Sequence, residues 1–207
     1  MNAPLLMIAR RWFVIGAAAF ALTACTDKPA DATASGFSSI DITGADYATG
    51  FSLTDHDCKP RTLADFQGKV VVIFFGYTQC PDVCPTSMSE LAEAKRLLGP
   101  DGERLQGLFV SVDPERDTPE VMKAYMASFD PGFLALYAAP DALPALTKSF
   151  RIYYKKVEGK TPTSYTMDHS AGSYVYDTQG RVRLYTRYGS GAQALAGDVK
   201  KLLDEAR

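Results

Sequence analysis

The sequence predicts an α/β sandwich with a central mixed sheet flanked by helices. Three observations carry this. Apolar, β-branched and aromatic runs recur at 69–78, 105–113 and 133–139, each followed by a segment with a helical apolar stripe. Such strand–helix alternation predicts parallel central strands. Residues 172–188 then form a hairpin pattern, and a final amphipathic segment closes the chain.

Taken in order, KVVVIFFGYT (69–78) has the composition of a strand buried on both faces. After Cys84, Pro85 suits the first turn of a helix, where a missing N–H costs nothing. Met88, Leu91, Ala94 and Leu98 share one face of that helix, which Gly99-Pro100 stops. LQGLFVSVD (105–113) is a second strand. Thr118 is the N-cap of a second helix with Pro119 at its first position, and Val121, Met122, Tyr125 and Phe129 form its stripe. FLALYAA (133–139) is a third strand, followed by a helix carrying Leu143, Leu146 and Phe150. The hairpin turns at Asp177–Gly180, and the last helix presents Leu195, Val199, Leu202 and Leu203.

The first residues stand apart from this pattern. Arg10 and Arg11 precede an uncharged apolar stretch, Trp12–Ala24, shorter than the roughly 20 residues of a comfortable membrane span. The stretch fits a signal peptide over 1–24 better than an uncleaved anchor. It ends in Leu22-Thr23-Ala24-Cys25, which resembles a lipobox, so Cys25 is expected to receive lipid. Arg10-Arg11 leaves Sec and twin-arginine export both open. Residues 25–38 are small and polar and predict a flexible tether. Residues 39–207 are the size of one compact domain. Loss of 1–24 removes two arginines and no acids, moving the net charge from −2 to −4. No basic patch suggests nucleic acid.

With Cys25 assigned to lipid, Cys58, Cys80 and Cys84 remain. Export places them where disulfides form, yet three thiols make no disulfide scaffold for a domain this large. Cys80 and Cys84 lie between a strand and a helix start, where the helix dipole favours thiolate. Thiolate serves a metal and a disulfide-exchange reaction equally well. Spacing alone leaves both open.

Strand, cysteine-bearing loop and helix in succession form a thioredoxin-like arrangement. In that fold the segment entering the closing hairpin lies beside the cysteine loop. Thioredoxins place a cis-proline there; this chain has no proline after Pro162 and offers Asp168-His169-Ser170 instead. Two thiolates and one imidazole form too small a set for structural zinc or an iron–sulfur cluster, and their softness suits Cu(I).

Three blocks, ADFQGKVVVIFFGYTQCPDVCPTSMSEL, FVSVDPERDTPEVMKAYMASF and YTMDHSAGSYVYDTQG, resemble the signature segments of the Sco/SenC family. The resemblance runs from about Ile40 to the last helix. It implies a membrane-tethered, thioredoxin-like copper chaperone that delivers copper to the CuA centre of cytochrome c oxidase. Cys80, Cys84 and His169 are then the metal ligands, for Cu(I), with Cu(II) left open. The same two cysteines would form the redox pair. Asp82, Asp113 and Asp168 become candidates for supporting the ligands, with Asp168 either orienting His169 through its other ring nitrogen or simply solvated. Asp113 also suits a plain turn before Pro114.

The implied partners are the CuA-bearing subunit, other copper carriers or thiol reductases, and the membrane through the lipid. The implied place is the periplasmic face of the cytoplasmic membrane. Cys58 departs from the family, which usually carries glycine there; with His56 it makes no closed ligand set, so a single thiol is expected. A carrier, not an enzyme, is the leading reading. A thiol–disulfide oxidoreductase is the alternative. A peroxiredoxin-like peroxidase fits poorly, because the threonine expected three residues before the reactive cysteine is replaced by Tyr77 or Pro81.

Overall fold

The computed structural model describes residues 36–161 and 164–206. Eight strands form one mixed sheet in the order β1-β10-β9-β4-β5-β6-β2-β3. They are β1 (Ile40–Asp41), β2 (Ser52–Asp55), β3 (Pro60–Thr62), β4 (Val70–Gly76), β5 (Leu105–Ser111), β6 (Leu134–Tyr137), β9 (Ser173–Tyr176) and β10 (Val182–Thr186). As the alternating pattern predicts, β4, β5 and β6 are parallel, with Phe74 opposite Phe109. β9 runs antiparallel to β4, so the centre of the sheet is mixed. The order β10-β9-β4-β5 is the thioredoxin-like core.

β4 and β5 are buried along their whole length, which is why they read as unbroken apolar runs rather than as alternations. Among the described residues four α-helices cover the sheet: α1 (Val83–Leu97), α2 (Pro119–Ala127), α3 (Leu143–Ser149) and α4 (Ala192–Asp204). Phe74 and Phe109, in contact with each other, face the layer of α1, α2 and α4: Phe109 meets Tyr125 of α2, and Phe74 shares a cleft with Leu91 of α1 and Leu195 of α4. Phe75 points the other way, onto Phe150 at the end of α3, whose ring also meets Tyr174.

Thr118 caps α2 as expected, its hydroxyl accepting the Val121 N–H at 3.3 Å. α1 begins at Val83, so Cys84 lies inside its first turn and Pro85 is the third helical residue. Proline is tolerated there because the first four N–H groups of a helix have no partner within it. The hairpin turns where expected: the Asp177 carboxylate accepts N–H bonds from Gln179 and Arg181, and Gly180 takes a left-handed φ of 76°.

Several elements were not legible. β1, β2 and β3 are short and carry few of the residues that mark strands. A separate two-stranded sheet pairs β7 (Tyr154–Val157) with β8 (Thr166–His169), setting Tyr154 opposite His169. His169 is therefore the last residue of a strand. The expected signal peptide 1–24, Cys25 and most of the expected tether lie outside the described residues. Among the described residues no helix is long and apolar enough to cross a membrane.

Candidate metal centre

β4 ends at Gly76, directly beneath the first turn of α1. A Cβ on Gly76 would stand 2.7 Å from the Cys84 Sγ, 2.8 Å from the Phe74 ring and 3.0 Å from the Phe109 ring. Glycine is what lets the Cys84 sulfur settle onto the end of the strand. Cys84 is fully buried and Cys80 half-buried. The connecting loop folds back so that the Cys84 N–H donates to the Cys80 sulfur at 3.4 Å. Asp117 holds the start of that loop, its buried carboxylate accepting from the Thr78 N–H, the Thr78 hydroxyl and the Ser111 hydroxyl.

β8 brings in the third group. The His169 Nε2 lies 3.3 Å from the Cys84 Sγ. Its ring is set edge-on against Phe74 and Tyr77, both at 5.9 Å between centroids. Its Nδ1 sits 2.9 Å from the Ser170 carbonyl oxygen. A carbonyl only accepts, so Nδ1 carries a proton, and Nε2 is the ring atom that faces the cysteines. Cys80, Cys84 and His169 each offer one ligand atom, all within 4.8 Å of one another. Among the described residues no other group of three metal-type side chains is so disposed.

The two thiols are driven apart in acidity. Cys80 is pulled down to about 3, chiefly by the bond it accepts from the Cys84 thiol, with burial opposing and His169 and the Asp82 and Cys84 N–H groups assisting. Cys84 is pushed up by donating that bond and by its burial. The pair thus keeps one proton, on Cys84, with Cys80 as thiolate. A soft ion entering between them displaces that proton and meets two sulfurs and one nitrogen.

The three aspartates divide. Asp82 is exposed at the N-cap of α1, and its side chain makes no capping bond. Asp168 is exposed on the face of β8 opposite to His169, across from Lys155; the Nδ1 partner is the Ser170 carbonyl instead. Asp113 is buried, bonded by Arg116 and by the Tyr165 hydroxyl. Cys58 is an exposed free thiol at φ 62°, a backbone conformation that favours glycine. His56 lends its Nδ1 to the Ala135 N–H at 3.1 Å and ties the end of β2 to β6. Sequence reasoning missed the roles of Gly76, Ser170 and Arg116, although all three lie within the quoted blocks.

A model of the SCO1/SenC family matches residues 41–204. The chain belongs to this family. It is similar to the solved structure of Bradyrhizobium japonicum ScoI with copper bound: 43% identity, TM-score 0.68, 74% of this chain and 97% of that one. Yeast Sco1 with copper bound is 29% identical at a TM-score of 0.66, over 73% of this chain and 85% of that one. The mitochondrial SCO2 homolog of Bos taurus is 37% identical over 146 residues, 70% of this chain and 54% of that protein. The chain spans 50–60% of the length of this and two other SCO2 relatives, from mouse and yeast. As an SCO1/SenC protein it carries a Cys-Cys-His group that suits the metal held by its copper-bound neighbours.

Proposed function

We propose that the protein is a copper chaperone that takes up Cu(I) at Cys80, Cys84 and His169 and delivers it to the CuA site of cytochrome c oxidase. The observation that carries this is the convergence of two sulfurs and an imidazole nitrogen within 4.8 Å. The copper-bound relatives support the choice of metal. The half-buried Cys80 leaves the ion reachable, so an acceptor ligand can bind before the last donor lets go. A Cys80–Cys84 disulfide would leave no thiolate, so the redox state of the pair gates loading. Asp82 and Asp168, both exposed, are available to an acceptor. Removal of 1–24 and lipidation at Cys25 would hold domain 39–207 by its tether at the periplasmic face of the cytoplasmic membrane.

The test is transfer. Copper-loaded protein is mixed with the reduced, metal-free CuA-bearing domain, the two are separated, and copper is measured in each. Movement of copper to the acceptor supports delivery; retention by the donor counts against it.

A second reading, thiol–disulfide exchange with the cysteines of the oxidase subunit or another exported protein, is favoured by the low-lying Cys80 thiolate beside a protonated Cys84. His169→Ala separates the two, since it should spare disulfide reduction and abolish tight copper binding.

A further inference from the structure

β7 and β8 form a sheet of their own, so no main-sheet ladder fixes His169 against the cysteines. On its C-terminal side His169 is tethered within a few residues to β9, where Ser173 pairs with Phe74. On its N-terminal side the attachment is made by side chains, and Arg116 is at their centre.

Arg116 lies on the loop between β5 and α2, with its side chain mostly buried. Its Nε donates to the Asp113 carboxylate at 2.5 Å. One Nη1 donates to the Tyr165 carbonyl at 2.9 Å and to the Gln79 side-chain oxygen at 3.1 Å. The guanidinium stacks 3.5 Å from the Tyr165 ring centre, and Lys156 lies 3.9 Å from it. The Tyr165 hydroxyl donates back to Asp113 at 2.7 Å. Tyr165 is four residues before His169, and Gln79 is the residue before Cys80. One planar fork therefore joins the ligand strand to the cysteine loop. The Tyr77 ring, edge-on to His169, is 5.6 Å from the same guanidinium.

We propose that Arg116 is the positioning residue of the metal centre: its guanidinium clamps the start of β8 to the cysteine loop and so fixes where His169 stands relative to Cys80 and Cys84. The effect on metal rests on the copper-binding reading above; the clamp itself does not. Lysine cannot replace it, because an ammonium on a flexible stem has neither the fork nor the plane for stacking. Loss of partners that orient a metal ligand costs about 10–100-fold in affinity.

The experiment compares wild type, Arg116→Ala and Arg116→Lys, each with His169 and with His169→Ala, by Cu(I) competition against a chromophoric chelator. Hydrogen exchange of the metal-free proteins is read in parallel. Both substitutions are expected to weaken Cu(I) binding at least about 10-fold when His169 is present and less than about 2-fold when it is absent. Amides of 166–169 should exchange faster while those of β4 and β5 stay unchanged. Equal loss in both backgrounds, full retention of affinity by Arg116→Lys, or unaltered exchange in β8 overturns the proposal. If Arg116→Ala does not fold, Arg116→Lys carries the comparison. Failure of the wild type to bind Cu(I) would sink the copper reading, while the exchange data would still judge the clamp.

Discussion

A Cβ on Gly76 would stand 2.7 Å from the Cys84 sulfur, closer than any relaxed packing permits. The end of β4 and the first turn of α1 meet at that point, and the depth of one ligand depends on the absence of one methyl group. Gly76→Ala is therefore expected to lift α1 from the strand. Overpacking of this kind costs about 1–3 kcal/mol. Urea unfolding would report the loss, and Cu(I) affinity should fall with it. Unchanged stability and affinity would show that the first turn yields freely.

Cys80 should be the fastest of the described thiols to react with iodoacetamide at neutral pH. Cys84 is buried and holds its proton, while Cys80 is half-exposed and lies far below the usual thiol range. Between pH 7 and pH 5 an ordinary thiol loses about 100-fold in thiolate population. The Cys80 rate should barely change over that interval. Peptide mass spectrometry of the alkylated protein gives the rates site by site, and a Cys80 rate falling 100-fold would refute the assignment.

Asp55 predicts an acid-sensitive share of stability. Burial pushes its carboxyl up, but the Lys59 N–H, the Arg61 guanidinium and the Asp57 N–H outweigh this and leave it below the usual carboxylate range. A depressed folded value means the contribution is complete above the unfolded value, about 3.9, and is lost as pH falls through the folded one. Asp55→Asn should cost about 1–3 kcal/mol at pH 7, the range for leaving buried hydrogen-bond partners unsatisfied. Its deficit against wild type should shrink below about pH 4. Denaturant melts at pH 7, 4 and 3 check the sign; a deficit independent of pH would contradict it.

Asp198 pins the segment that leads into β1. It is fully buried on α4 and accepts the backbone N–H groups of Ser38 and Ser39, both at 2.8 Å. Asp198→Ala leaves those donors without a partner and should destabilise the protein by about 1–3 kcal/mol. Limited proteolysis should then cut near residues 38–41, where wild type resists. Equal resistance would show that the segment is held otherwise.

Much of this was legible because the signals were strong. β4, β5 and β6 are consecutive apolar runs, and Thr118-Pro119 is a helix start that the structure reproduces. Cys80, Cys84 and His169 could be picked out from two cysteines before a helix and one histidine before a hairpin. β8 stayed hidden because Thr166-Met167-Asp168-His169 pairs only with β7, an edge strand whose lysines face solvent. The strand also sets the side on which Asp168 stands. In a loop it could turn toward the imidazole, whereas in a strand it must point to the opposite face. Arg116 was invisible for another reason, since its partners Gln79, Asp113 and Tyr165 are far apart in the chain and converge only on folding.

The central claim is that Cys80, Cys84 and His169 hold copper together. It is tested most directly by a Cu(I) competition titration of the fully reduced protein beside His169→Ala and beside the oxidised wild type. The account predicts one tightly bound Cu(I) in the reduced wild type, sharply weaker binding without the imidazole and none worth measuring in the disulfide form. Equal affinity in all three would contradict it.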